Sequence, residues 1–358
     1  MLRKKRICAA MTAALIMASL TLGGCGDLGN INLTGAQGTG SSADGAAGDL
    51  QQAAAYEEPN WNSGKAAGEE QSREAEVVYF SDKSGFYEKG FTLTLSCPNQ
   101  SAKIYYTTDG SIPTEASHLY DGPLALEDKS KQPSVLSQRN DFNADSEPYV
   151  PTQEFTKANI IRAVAVFPDG SSSEVTNGTY FVGVDRKNKY GDVPVVSLIT
   201  EEKNLTDYET GIMVNGKTYD DWVKEDPANQ SKEGWESKGN YSNRGSDWER
   251  PVYFELIATD GNMNYGADLG MRIKGNASRG YYQKSLKLIA REEEYGIKNV
   301  KYPLIPDNMR ADGAGLVEKY RSFILRNGGN DADYAKLRDS LLQSLVSDRN
   351  LVTQKSTP

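Results

Sequence analysis

Several residues that ordinarily carry chemistry are scarce in this chain. Its 358 residues include three cysteines, at positions 8, 25 and 97, and a single histidine, His118. One histidine in a polar turn region supports neither a metal site nor a histidine-based triad. No phosphate loop, His-Glu-x-x-His pair or Gly-x-Ser-x-Gly nucleophile elbow is expected to offer another chemistry. Positive charge is also short: 40 basic residues face 49 acidic ones, for a formal net charge of -9 and a pI near 5.0. That balance excludes a nucleic-acid partner and a basic, membrane-hugging surface. The longest apolar run, Ile7 to Leu22, has 16 residues, short of the roughly 20 that a bilayer-spanning helix needs.

That short run belongs to an export signal. Arg3, Lys4, Lys5 and Arg6 precede it, and Leu22-Gly23-Gly24-Cys25 closes it with small residues. A basic start, an apolar middle and a small-residue exit describe a secretory signal rather than a structural helix. The closing Leu-x-Gly-Cys resembles the lipobox of bacterial lipoproteins. The resemblance implies that Cys25 is acylated and becomes the first mature residue, held at the outer face of a cell membrane by its acyl chains. Cys8 then leaves with the signal and Cys97 alone remains. A lone cysteine forms no internal disulfide and no zinc site, so Cys97 reads as a small buried or edge residue.

Residues 26–76 are dominated by Gly, Ala, Ser, Gln and Asn. Such a composition buries too little apolar surface to offset ordering entropy, and it reads as a flexible linker. About 280 residues remain, enough for two domains.

The first spans residues 77–183. Short runs such as Phe91–Leu95, Ala102–Thr107, Ile160–Val166 and Thr179–Val182 alternate with period two and are bounded by Gly, Asp, Asn and Pro. They predict half-buried strands in a small antiparallel sandwich of immunoglobulin-like class. The polar stretch from Glu127 to Gln153 has no period and reads as an inserted loop. At Tyr105-Tyr106-Thr107-Thr108-Asp109-Gly110-Ser111-Ile112-Pro113-Thr114 the chain resembles the chitobiase/β-hexosaminidase C-terminal-type sandwich. Ser84–Tyr87 and Arg162–Ala165 match as well. In that family the module is an accessory. Folding alone explains the motif, because Asp-Gly supplies turn geometry and Pro113 delays the next strand. Sugar binding by Tyr105 or Tyr106 is the minor alternative. The two point to opposite faces of one strand, so at most one joins an exposed platform.

The second domain spans residues 190–358. Val193–Ile199, Gly211–Gly216, Pro251–Ile257, Leu269–Gly275, Lys284–Arg291 and Arg321–Asn327 read as strands. Trp222–Asn243 reads as a long surface loop. Leu337, Leu341, Leu342 and Leu345 lie at helical spacing and read as a core-facing stripe. Basic residues recur on the strands. Arg272 and Lys274 share one face, whereas Lys284 and Lys287 point to opposite faces. The turn Lys274-Gly275-Asn276-Ala277-Ser278-Arg279-Gly280 is small enough to admit an anion close to its backbone.

Five ordered segments of this domain resemble the CotH kinase-like family known from spore coats: Trp248–Glu255, Gly270–Arg279, Gln283–Lys287, Tyr295-Gly296 and Leu325–Asp331. The likeness covers about 165 residues and implies the amino-terminal part of an α+β atypical kinase-like domain. It implies ATP with Mg2+ or Mn2+ as cofactors, and an envelope or coat protein as phosphoryl acceptor. Lys284 is then the nucleotide-pairing lysine, with Lys274 second. Arg272 and Arg279 contact phosphate or pair with an acidic partner. The plainer alternative is that these groups are solvated or ion-paired on strand faces. The family pattern runs on beyond Pro358 into the lobe that carries the catalytic carboxylates. Asp331 and Asp333 therefore receive no catalytic role. The expectation is a lipid-anchored envelope phosphotransferase, incomplete as read. The alternative is a non-catalytic surface scaffold that binds cell-wall glycan or protein.

Overall fold

A computed structural model of the chain describes residues 77–145, 152–331 and 336–346. Cys25, the export signal, the linker over residues 26–76 and Asp333 lie outside the described residues. The described chain is rich in strand and poor in helix. Among the described residues, no helix is long and apolar enough to cross a membrane.

The first module contains β1 (Tyr79–Phe80), β2 (Gly85–Tyr87), β3 (Phe91–Leu93), β4 (Leu95–Ser96), β5 (Lys103–Thr107), β6 (His118–Leu119), β7 (Leu124–Leu126), β8 (Ala158–Val166) and β9 (Thr176–Val182). One layer is a five-stranded sheet in the order β2-β9-β8-β5-β6, and β1-β4 and β3-β7 form two small pairs. The pairs are antiparallel except β2 with β9. Alternation along β8 sends Ile161, Ala163 and Ala165 into a core shared with Leu93, Leu126, Tyr180 and Val182, and leaves Arg162 and Val164 on the other face. Cys97 packs half-buried at the edge of that core.

Three turns share one construction. In Asp109-Gly110-Ser111, Asp169-Gly170-Ser171 and Asp260-Gly261-Asn262, the Asp carboxylate accepts the backbone N–H two residues on, at 2.9 Å each time. The glycines adopt φ of 86°, 83° and 88°, a left-handed backbone that glycine enters without steric cost.

After α1 (Arg186–Tyr190), the second module forms a five-stranded antiparallel sheet. Its order is β10-β11-β12-β13-β16, from β10 (Val195–Ile199), β11 (Arg250–Ile257), β12 (Met263–Lys274), β13 (Ser285–Ile289) and β16 (Ser322–Leu325). Between β10 and β11 come α2 (Glu202–Thr206) and α3 (Gly216–Glu225). Beyond β13 come α4 (Glu292–Tyr295), the short pair β14 (Val300–Lys301) and β15 (Lys319–Tyr320), and finally α5 (Arg338–Leu345). One sheet face builds the core: Val252, Phe254, Leu269, Met271, Ile273 and Leu288, closed over by Ile212, Tyr241 and Val300.

The other face of this sheet meets the outer face of the sandwich. Thr179 and Ser197 share a hydroxyl hydrogen bond of 2.8 Å, and Ser84 donates to Glu255 at 2.7 Å. The backbone joins as well: Phe86 N–H reaches Gly261 O at 3.0 Å and Met263 N–H reaches Ser84 O at 3.1 Å. Val164, Ile199 and Ile257 are buried yet belong to neither core, as side chains filling such a seam should be.

Four sequence expectations are corrected here. Gly211–Gly216 is not a strand. Ile212 and Val214 are both 1% exposed, which produced the alternating pattern. Their backbone instead hangs from α2 through Ile212 N–H to Asn204 O and Met213 N–H to Leu205 O. Trp222–Asn243 is not a surface loop throughout: α3 occupies its start, and Asn240 and Tyr241 are buried. Leu341, Leu342 and Leu345 do lie on a helix, with Leu337 at its N-cap, but the four are 58%, 55%, 64% and 48% exposed rather than core. Finally, Lys284 immediately precedes β13 rather than lying on it.

Candidate functional site

The four basic residues singled out in the sequence lie around one hairpin. Arg272 and Lys274 end β12, Ser285 pairs with Lys274, and Arg279 and Lys284 sit on the connecting turn. The hairpin gives each a different environment.

Lys274 is exposed, and among the described residues its ammonium has no hydrogen-bond partner. Arg272 is paired with an acid. Its guanidinium meets the Glu249 carboxylate at 2.5 Å, and Arg291 reaches the same group at 2.9 Å, joined by the Tyr295 hydroxyl at 3.1 Å. Burial works to raise the Glu249 carboxyl pKa, but the hydrogen bonds from Arg291 and Arg272 outweigh it and hold the group below its ordinary value. Gly270 makes room for this cluster, because a Cβ there would stand 2.1 Å from a Glu249 oxygen.

Arg279 is 7% exposed. It donates to Gly275 O at 2.9 Å, Tyr241 O at 2.9 Å and Asn243 O at 3.0 Å, binding the hairpin turn to the segment before β11. Burial lowers its pKa to about 10. Its guanidinium is thus occupied by backbone carbonyls.

Lys284 is 5% exposed. Its Nζ donates to Phe142 O and Tyr281 O, each at 2.7 Å, and stands 4.2 Å over the Tyr241 ring. Two carbonyls and an aromatic face suit an ammonium's three donors. Burial nevertheless pushes its pKa down to about 7. The Tyr241 hydroxyl is fixed by Ser237 at 2.6 Å and by Asn215 at 3.1 Å. Tyr241 therefore holds Lys284 with its ring and Arg279 with its carbonyl.

The Phe142 carbonyl comes from the sandwich insert, where the sequence had predicted only a loop. Residues 139–145 of that insert lie on the second module. Asp141 O accepts from Asn215 N–H at 2.6 Å, and the Asp145 carboxylate accepts from Gly234 N–H at 2.5 Å. The Phe142 ring meets Tyr282 edge-on at 5.6 Å.

No phosphate loop was expected from the sequence, yet one segment has the spacing of such a loop. Gly211-Ile212-Met213-Val214-Asn215-Gly216-Lys217-Thr218 has the Gly-x4-Gly-Lys-Thr spacing of a phosphate loop and opens α3. No strand leads into it. Its N–H groups at Ile212, Met213, Asn215, Lys217 and Thr218 are already accepted by protein oxygens. Lys217 is turned to Asp221 at 2.5 Å. The glycines serve close packing: a Cβ on Gly216 would stand 2.2 Å from the Asn240 amide nitrogen. The segment is no phosphate cradle in the usual sense.

Asn327 and Ser285 are also functional in the local architecture, though neither was assigned a role from sequence. Ser285 Oγ and the Asn327 side chain are 2.9 Å apart, and Asn327 donates to Gln283 O at 2.7 Å. Asp331 is 6% exposed and accepts at 3.2 Å from the N–H of Arg338, the first residue of α5.

Tyr106 packs toward the sandwich core beside His118 and Tyr120, and only Tyr105 is on the opposite face. One shallow depression of the described surface is lined by Asp128, Glu154, Asp185 and Lys189 and by none of the four basic candidates. Among the described residues, no group of three or more His, Cys, Asp or Glu side chains is placed to hold a metal ion. As arranged here, the described residues do not fit a metal–nucleotide complex, because Lys284, Arg279 and Arg272 are engaged and the acidic ligands are not supplied. No curated protein matches the chain. The family described as Fn3 associated matches residues 93–180, which run from β3 into β9 of the sandwich.

Proposed function

We propose that the chain is an exported lipoprotein, held at the outer face of a cell membrane through Cys25, whose second module is the lysine-bearing lobe of a CotH-like phosphotransferase acting on an envelope or coat protein. The observation that carries this reading is Lys284, a buried lysine placed just after a glycine-bounded turn and immediately before an interior strand of the sheet. Phosphoryl transfer relies on such a lysine for positioning and charge neutralisation. ATP with Mg2+ or Mn2+ is the cofactor set in this reading, and the nucleotide would supply the phosphoryl group. The chain's own residues would hold and orient it. With residues 139–145 drawn away from it, Lys284 would meet phosphate oxygen, while Tyr241 fixes the lysine and Arg279 keeps the turn in place.

The test is titration of Mn2+·ATP into the secreted Cys25→Ser chain and its Lys284→Met variant. Binding to the parent that is lost in the variant, with the variant's thermal unfolding still cooperative, supports the reading. Equal behaviour of the two removes it.

A second reading is a non-catalytic surface scaffold. It is favoured by the seam between the sandwich and the second sheet, which joins them through backbone pairing as well as side chains. This reading expects no nucleotide binding, and retained attachment to cell-wall glycan or protein.

A further inference from the structure

Three donors of the second module point at one short segment of the first. Asn215 N–H, Lys284 Nζ and Gly234 N–H are satisfied by Asp141 O, Phe142 O and the Asp145 carboxylate, at 2.6, 2.7 and 2.5 Å. Two of these acceptors are consecutive carbonyls of the insert, and the third is a true anion. Two backbone N–H groups and one ammonium, drawn from separate stretches of chain, form the donor set that proteins use for oxyanions.

The packing around these donors is shaped for a close approach. A Cβ on Gly234 would stand 2.6 Å from an Asp145 oxygen, and a Cβ on Gly280 would stand 2.1 Å from Gly234 O. Glycine at both positions lets an oxygen reach the Gly234 amide while the hairpin turn backs it. Beneath the donors Tyr241 is 0% exposed and held by two hydrogen bonds, so its ring is fixed before any ligand arrives.

We propose that Asn215 N–H, Gly234 N–H and Lys284 Nζ form an oxyanion-binding site for phosphate-type groups, which residues 139–145 of the sandwich insert occupy as an internal substitute. The insert oxygens stand where ligand oxygens would, and Asp145 supplies the negative charge. Release of the segment withdraws one acceptor from each of the three donors at once, and Lys284 keeps only the Tyr281 carbonyl. This inference rests on the phosphotransferase reading only for the identity of the ligand. The donor set and its cover are independent of it.

The test uses the secreted full chain with two insert variants: the double substitution Phe142→Ala/Asp145→Ala, and replacement of residues 139–145 by a Gly-Ser segment. Acylation of individual lysines is followed by peptide mass spectrometry, without and with inorganic tripolyphosphate, and separately with ATP. In the parent, Lys284 should react at least about tenfold more slowly than Lys274, as a covered group does when reaction requires local opening. In both variants Lys284 should speed up by a similar factor while Lys274 is unchanged. Tripolyphosphate should slow Lys284 again in the variants and leave Lys274 alone. Parent Lys284 as reactive as Lys274, or Lys284 slow in both variants, overturns the cover. Freed Lys284 that tripolyphosphate does not protect overturns the oxyanion site. Protection by tripolyphosphate without protection by ATP upholds the site and overturns the nucleotide reading.

Discussion

The Nζ of Lys284 donates to the Phe142 carbonyl at 2.7 Å across 142 residues of chain. The lysine belongs to the second module and the carbonyl to an insertion in the first, so the sandwich is built into the site it adjoins. A covered lysine with few alternative partners has consequences for stability that can be measured.

Burial places the folded-state pKa of Lys284 at about 7, against 10.5 for a free lysine. Between those values the unfolded chain carries the proton and the folded chain does not. Folding stability contributed by this group therefore rises as pH climbs from about 7 to about 10. The neutral amine keeps two N–H groups, enough for the Phe142 and Tyr281 carbonyls. Denaturant titrations should show the parent gaining on Lys284→Met by a few kcal/mol, on the order of the shift at about 1.4 kcal/mol per unit. A parent-minus-variant difference that is flat over this range would contradict the assignment.

Glu255 behaves in the opposite sense. It is 0% exposed, accepts from Ser84 at 2.7 Å, and leaves its second carboxyl oxygen without a partner. Burial raises its pKa above the ordinary 4.5. The folded chain then keeps a proton that the unfolded chain has lost, so the stability it contributes is present below about pH 4.5 and is lost as pH rises through the folded-state value. Glu255→Gln should remove that decline and stabilise the protein at pH 8 by about 1–3 kcal/mol, the cost of an unsatisfied buried polar group. Thermal unfolding at pH 5 and pH 8 checks the sign, and a variant less stable than the parent at pH 8 refutes it.

Glu249 supplies a third case. Its carboxylate is 4% exposed, while the Arg272 and Arg291 side chains are 22% and 32% exposed. Glu249→Gln should cost about 2 kcal/mol, below the range for fully buried pairs because water screens both guanidinium groups. Its folded-state pKa is held down, so the contribution is present at neutral pH and fades as pH falls through that depressed value. The stability gap between parent and variant should narrow in acid, and a gap that widens would be inconsistent with the pairing.

Much of the strand framework was legible from local pattern. Val252, Phe254 and Leu256 alternate with Tyr253 and Glu255 because one face of β11 enters the core and the other meets the sandwich. Gly211–Gly216 misled because Ile212 and Val214 alternate in burial on an irregular backbone; period two reports burial rather than hydrogen bonding. The leucines of α5 have helical spacing, but spacing does not say whether a face is covered. The site was less legible. Lys284 and Arg279 stood out as basic residues near glycines, yet their partners are carbonyls of Phe142, Tyr281, Tyr241 and Asn243. A backbone carbonyl carries no sequence signature. Glu249 stood in the Trp-Glu-Arg-Pro segment, but its two arginines arrive from β12 and from the start of α4.

The most direct measurement is denaturant unfolding of the secreted Cys25→Ser chain followed by two probes. Trp222, Trp235 and Trp248 report the second module through fluorescence, and pulse labelling of Cys97 reports the sandwich. Because Glu255, Thr179, Ser197 and residues 139–145 join the modules, the two curves should share one midpoint and one slope. Cys97 becoming reactive at a distinctly lower denaturant concentration than the fluorescence change would contradict a sandwich that forms part of the Lys284 site.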